Sequence, residues 1–183
     1  MRIYLTGFMA SGKSSIGKAL AKELKYAFVD LDTIIENQVG KSVEVMFAED
    51  GEEAFRRAEK DALRDTIKMS KHVIALGGGA VANEEDAKWA ADNGVVVFLD
   101  VPEDELVARL LRSRVRRPLV EEAQRAADPL EALESRVAGL MAKRRPFYEA
   151  AELVFKPQRT TTVLNARRLA RRLAPIIDRH GDQ

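Results

Sequence analysis

Lys13 and Ser14 carry the clearest chemistry in the chain. They close the run Gly7-Phe8-Met9-Ala10-Ser11-Gly12-Lys13-Ser14, which has the form GxxxxGK[ST] of a phosphate-binding loop. In that pattern the lysine reaches the β- and γ-phosphates of a nucleotide and the hydroxyl is offered to Mg2+. Gly7 and Gly12 let backbone approach a phosphate and allow dihedrals closed to other residues. A second pair, Asp30 and Asp32, flanks Leu31 at the end of an apolar run. Alternate residues on a strand share a face, so both carboxylates are expected to point off its C-terminal end, where open parallel sheets bind ligands. The competing reading is that Asp32 caps a helix starting at Thr33, and one aspartate can do both. Three consecutive glycines, Gly77-Gly78-Gly79, follow the next apolar run directly. They cost conformational entropy and pack nothing, which suits backbone that comes close to a ligand better than a flexible turn. Arg56, beside Phe55, reads on its own as a solvated helix arginine. Arg109, Arg112, Arg114, Arg116 and Arg117 make a dense basic run ended by Pro118. Charge alone does not decide between a solvated run and a mobile lid whose arginines meet phosphate on closure.

The elements that position these residues follow from periodicity. Residues 3–6 are short, apolar and β-prone. Ile16, Leu20 and Leu24 then recur at four-residue spacing, which predicts a helix over 12–25. Strands are expected at 27–29, 72–76, 95–99 and 153–155. The run Val95-Val96-Val97-Phe98-Leu99 is continuous rather than alternating, as in a parallel strand buried on both faces. Helices are expected from Thr33 to Val39, from the Asp50-Gly51-Glu52 turn to about Met69, over 83–93, from Glu103, over 129–145 and over 164–179, with a short apolar piece at 43–47. The stretch 121–128 is polar and alanine-rich. Arg144-Arg145-Pro146-Phe147-Tyr148 is expected to interrupt or kink the sixth helix. This βα alternation predicts an α/β fold of three layers with a mostly parallel five-stranded sheet.

Bulk properties narrow the class. The 183 residues suffice for one substantial core, so a single domain over 1–183 is expected. A hydrophobic fraction of 46% and a charged fraction of 32% are those of a globular protein. Thirty Lys and Arg balance twenty-nine Asp and Glu, which leaves no net field to draw nucleic acid or an anionic membrane. A patch formed by Arg167, Arg168, Arg171 and Arg172 is a minor exception. The absence of cysteine excludes a disulfide framework and thiolate zinc sites and fits a reducing compartment. The N-terminus enters a strand too early for a signal peptide, and no apolar run approaches the ~20 residues of a membrane span. The expectation is a cytoplasmic protein. His72 and His180 lack metal-ligand spacing and read as structural or solvated, and Trp89 reads as packing a groove.

Taken in order, the phosphate loop, Asp30-Leu31-Asp32, Gly51-Glu52-Glu53-Ala54-Phe55-Arg56, Gly77-Gly78-Gly79, Arg117-Pro118-Leu119 and Arg144-Arg145-Pro146-Phe147-Tyr148 resemble the shikimate kinases. The likeness covers nearly the whole chain, from Ile3 to about Val154. It implies a P-loop kinase fold of the nucleoside-monophosphate-kinase type, strand order 2-3-1-4-5, with a lid at about 112–125 and a helical substrate-binding part at about 31–60. It implies transfer of the γ-phosphate of ATP to the 3-hydroxyl of shikimate, with Mg2+, on the route to chorismate and aromatic amino acids. By the same resemblance Ala10, Ser11, Gly12, Lys13, Ser14 and Ser15 bind ATP, and Ser14 and Asp30 serve the metal. Asp32 contacts the shikimate hydroxyls and orients or deprotonates the attacking one. Arg56 and Arg144 clamp the carboxylate, while Gly77, Gly78 and Gly79 line the substrate. Lys13, Asp32 and Arg117 are the expected catalytic residues, Arg117 as the lid arginine on the phosphates. Arg109 or Arg112, and more weakly Arg159, are candidates to flank adenine. A monomer that binds ATP and shikimate is expected. The chain departs from the family pattern at Ala10 and Ser15, where Gly and Thr are commoner, at Val120, and in a longer segment between Pro118 and Arg144. Two alternatives stay open from the residues: another small-molecule kinase such as a gluconate or nucleoside-monophosphate kinase, and a catalytically silent module. The silent module predicts erosion at Lys13, Asp32 or Arg117, and all three are intact.

Overall fold

The computed structural model describes residues 1–113 and 118–181. Five strands, β1 (Arg2–Thr6), β2 (Ala27–Asp30), β3 (His72–Ala75), β4 (Val95–Leu99) and β5 (Leu153–Phe155), form one sheet in the order β2-β3-β1-β4-β5. All neighbours run parallel, with Ile3 opposite Val73 and Val95 at the centre. Side chains alternate across β1. Ile3 and Leu5 join one buried cluster with Ile16, Leu20, Leu169 and Leu173, and Tyr4 joins the other with Leu63, Leu106, Val137 and Met141. Both faces are therefore covered, which is why β4 is buried at every position. Helices α1 (Lys13–Leu24) and α9 (Thr162–Gly181) cover the first face. Between them in the chain lie α2 (Leu31–Val39), α3 (Val43–Glu49), α4 (Gly51–Asp65), α5 (Glu84–Asn93), α6 (Glu103–Arg112), α7 (Pro118–Ala123) and α8 (Pro129–Glu149). The three-layer α/β architecture and the strand order agree with expectation. Among the described residues, no helix is long and apolar enough to cross a membrane.

Several local expectations are corrected. β2 ends at Asp30 and α2 begins at Leu31, so Asp30 and Asp32 do not share a strand face. Asp30 is the cap: its Oδ1 accepts from the Asp32 backbone N–H at 3.2 Å, which leaves the Asp32 side chain free of that task. Residues 43–49 form a helix because Ser42 caps it, accepting from the Val45 N–H at 3.2 Å. α4 stops at Asp65 and continues as a 3-10 turn, Thr66–Lys68, where the Thr66 hydroxyl bonds the Leu63 carbonyl and Tyr4. α8 runs through Pro146 to Glu149. The proline stands on the exposed side of the last turns, and its neighbours are tied down: Arg145 to Asp100 at 3.0 Å and Tyr148 to the Gly78 carbonyl. Trp89 packs as expected, under the Arg64 guanidinium at 4.7 Å.

Candidate active site

The loop between β1 and α1 turns on residues with left-handed backbone. Gly7 and Gly12 have φ of 136° and 96°. A side chain on Gly7 would stand 2.9 Å from the Leu99 carbonyl oxygen, so glycine is needed there for space as well. Ala10 also has positive φ, 62°, at the position where the resemblance leads one to expect glycine. Such a conformation costs an L-residue on the order of 1 kcal/mol. Its carbonyl is held by Arg109 Nη1 at 3.0 Å, which helps fix the turn. Lys13 Nζ folds back over the loop and donates to the carbonyls of Gly7 at 2.8 Å and Phe8 at 2.9 Å. Ser14 Oγ donates to Asp30 Oδ2 at 2.5 Å, which brings the two expected metal residues together.

Across the cleft, Asp32 comes from the start of α2, Arg56 and Glu59 from α4, Arg144 from α8 and the glycine run from the turn after β3. Asp32 Oδ1 is buried and has no hydrogen-bond partner among the described residues. Burial, then the neighbouring charge of Asp30, push the Asp32 carboxyl above the ordinary carboxylate range, against the pull of Lys13 and Arg56. Arg56 is half-buried and binds Glu59 at 2.6 Å and Glu52 at 3.1 Å, so it is not the solvated arginine its neighbours in sequence suggest. Glu59 is only 3% exposed, and its Oε1 is likewise unpartnered. Burial raises its pKa, Arg56 opposes the rise, and Asp32 adds to it.

The glycine run has a specific steric origin. A side chain on Gly77 would collide with Glu59 Oε1 and lie 3.3 Å from Asp32 Oδ1, and one on Gly79 would collide with the Arg56 guanidinium. Gly77 and Gly79 thus leave space for acidic and basic side chains of the cleft. The Gly78 carbonyl accepts from Arg144 Nη1 at 3.1 Å and from the Tyr148 hydroxyl.

One cleft of about 940 Å³ gathers Ala10, Gly12, Lys13, Ser14 and Ser15 with Asp30 and Asp32. Arg56, Glu59, the three glycines and Arg144 line its other side, and Arg109 and Arg112 line it as well. Ser11 is buried under the loop and does not line the cleft. Arg159 does not reach it: its side chain is 82% exposed and stands 3.9 Å from Glu105, which also pairs with Arg109 at 2.6 Å. Arg117 lies outside the described residues, as does much of the basic run. Glu59 was not among the expected site residues, although a sequence signal exists. The buried positions of α4 are Phe55, Glu59, Ala62 and Leu63, so an acid interrupts an apolar stripe at helical spacing.

The arrangement pairs an anion-binding loop with a neighbouring pocket that offers two arginines and an acceptor carboxylate. That suits phosphoryl transfer to a small acid bearing hydroxyls. Comparison with known proteins points the same way. A family model described as shikimate kinase matches residues 9–174. A shikimate kinase from Salinibacter ruber is 42% identical over 151 residues, covering 82% of this chain and 74% of its own. The crystal structure of a shikimate kinase from Bacteroides thetaiotaomicron superposes with a TM-score of 0.85 at 33% identity, covering 94% of this chain and 98% of that one. A shikimate kinase from Acinetobacter baumannii, solved in complex with shikimate, gives a TM-score of 0.79 at 29% identity over 98% of this chain and 93% of its own.

Proposed function

The chain belongs to the shikimate kinase family, and from that premise we propose how its cleft divides the work of the reaction. The protein is an ATP-dependent kinase that converts ATP and shikimate to ADP and shikimate 3-phosphate. Lys13 exchanges the Gly7 and Phe8 carbonyls for the β- and γ-phosphates and neutralises charge that builds on the transferring group. Asp32 accepts the hydrogen bond of the attacking hydroxyl, orients it and takes its proton. Arg56 and Arg144 grip the substrate carboxylate from two sides, and Gly78 and Gly79 offer backbone N–H groups to the substrate. Arg117 adds positive charge at the phosphates. It precedes α7, whose Leu119 and Glu122 line the cleft.

The reaction class implies Mg2+, and the residues present fit it. Ser14 Oγ and Asp30 Oδ2 are hard oxygen donors 2.5 Å apart at the start of α1. Among the described residues no group of three or more His, Cys, Asp or Glu is arranged to hold a metal. The ion would therefore share its coordination with phosphates and water, as Mg2+ in kinases does. When bound it would supply neutralisation of the phosphate charge. We further propose that the enzyme works as a cytoplasmic monomer, since one chain supplies every group named here and the sequence holds no cysteine.

The observation that carries this division is the buried oxygen of Asp32, unpartnered among the described residues, in the cleft that Lys13, Arg56 and Arg144 also line. Steady-state kinetics test it. Arg56→Ala and Arg144→Ala are each expected to raise the KM for shikimate by roughly 10- to 100-fold while the KM for ATP stays within about threefold. A larger effect on ATP than on shikimate would refute the carboxylate clamp.

A further inference from the structure

Tyr148 serves no step assigned above, yet it touches the acceptor pocket's backbone. It is fully buried, its ring 5.2 Å from that of Phe98 on β4. Its hydroxyl donates to the Gly78 carbonyl, the same oxygen that accepts from Arg144 Nη1 at 3.1 Å. The two residues are four apart on α8, so consecutive turns of one helix aim two donors at one carbonyl, which has two lone pairs to receive them. Gly78 is also where the acceptor pocket meets the phosphate loop: a side chain there would stand 3.4 Å from the Met9 nitrogen and 3.8 Å from the Gly7 carbonyl oxygen.

We propose that Tyr148 is a positioning residue that keeps the Gly78 carbonyl bonded when Arg144 turns to the substrate carboxylate. The proposal rests on the reading of Arg144 as a carboxylate clamp. Arg144 faces three acceptors, the Gly78 carbonyl, the Tyr148 hydroxyl oxygen and the incoming carboxylate. If it were the carbonyl's sole donor, binding substrate would leave a half-buried backbone oxygen unpaired and release the glycine turn. With Tyr148 in place the carbonyl keeps one bond throughout, and Arg144 moves at little cost. Burial pushes the Tyr148 hydroxyl pKa up, so it stays protonated and able to donate.

Tyr148→Phe removes the donor and keeps the ring. The variant is expected to raise the KM for shikimate about tenfold, with the KM for ATP and kcat each within about threefold. Calorimetric titration with shikimate should show the same loss without turnover, and the thermal midpoint checks the fold. In the Arg144→Ala background, where no competition remains, adding Tyr148→Phe should raise the KM little further. Three results would overturn the proposal alone, given a raised KM in Arg144→Ala. One is an unchanged KM for shikimate in Tyr148→Phe. Another is a full tenfold penalty on top of Arg144→Ala. The third is equal losses for both substrates, which is the mark of packing. An unchanged KM in Arg144→Ala itself would sink the clamp reading and this proposal with it.

Discussion

Lys13→Ala is expected to lower kcat by on the order of a thousandfold while the dissociation constant for shikimate changes less than about threefold. The Lys13 ammonium bridges the carbonyls of Gly7 and Phe8 at 2.8 and 2.9 Å. In the proposed division of work it neutralises phosphate charge as the γ-group leaves, an interaction stronger in the transition state than in the ground state. Alanine removes both. The loss of a donor to the two loop carbonyls predicts a modest stability cost, about 1 kcal/mol. The proposed shikimate pocket uses Asp32, Arg56 and Arg144, on other elements, and keeps its contacts. Single-turnover kinetics and calorimetric titration separate the two effects. Loss of shikimate affinity equal to the loss in kcat would contradict the division between phosphate loop and acceptor pocket.

Asp32→Asn is the second large effect, and it has two opposite signs. Activity should fall on the order of 100- to 10,000-fold, the usual range for a lost general base. Stability near pH 8 should rise. The Asp32 carboxyl is pushed above its unfolded value by burial and by Asp30. Between the ordinary carboxylate pKa and the raised one, the folded state holds more protons than the unfolded state. Stability therefore falls as pH rises through that window, and the penalty is complete above it. Asparagine carries no such penalty, so its advantage in thermal midpoint is expected near pH 8 and should shrink as pH drops toward about 4. The same raised pKa predicts that the acid limb of kcat/KM for the wild type lies above the usual carboxylate range. A variant less stable than the wild type at neutral pH would mean that the Asp32 charge is well solvated or paired.

The phosphate loop and the sheet were legible in the sequence because each is a local pattern. The GxxxxGK[ST] run sits between an apolar strand and a periodic helix, and the continuous apolar run at 95–99 reads as a strand covered on both faces. What was not legible depends on tertiary contacts. Asp30 rather than Asp32 caps α2 because the helix starts at Leu31, two residues before Thr33. Arg56 looks like a surface arginine until the fold turns its face of α4 into the cleft, where Glu59 follows it. In sequence the glycine run points to ligand approach, and in the fold the glycines also make room for those two side chains. Pro146 fails to break α8 because contacts on both sides of it hold the helix in place. Arg159 is a weak candidate to flank adenine, and its exposed side chain stands 3.9 Å from Glu105, the partner of Arg109.

The most direct test is a coupled ADP-release assay with Mg-ATP, run in parallel with shikimate, gluconate, a nucleoside monophosphate and no acceptor. ADP release that depends on shikimate, with the other three at background, is the predicted result. Turnover with gluconate or the nucleotide and none with shikimate would keep the phosphate loop and contradict the acceptor pocket built from Asp32, Arg56 and Arg144.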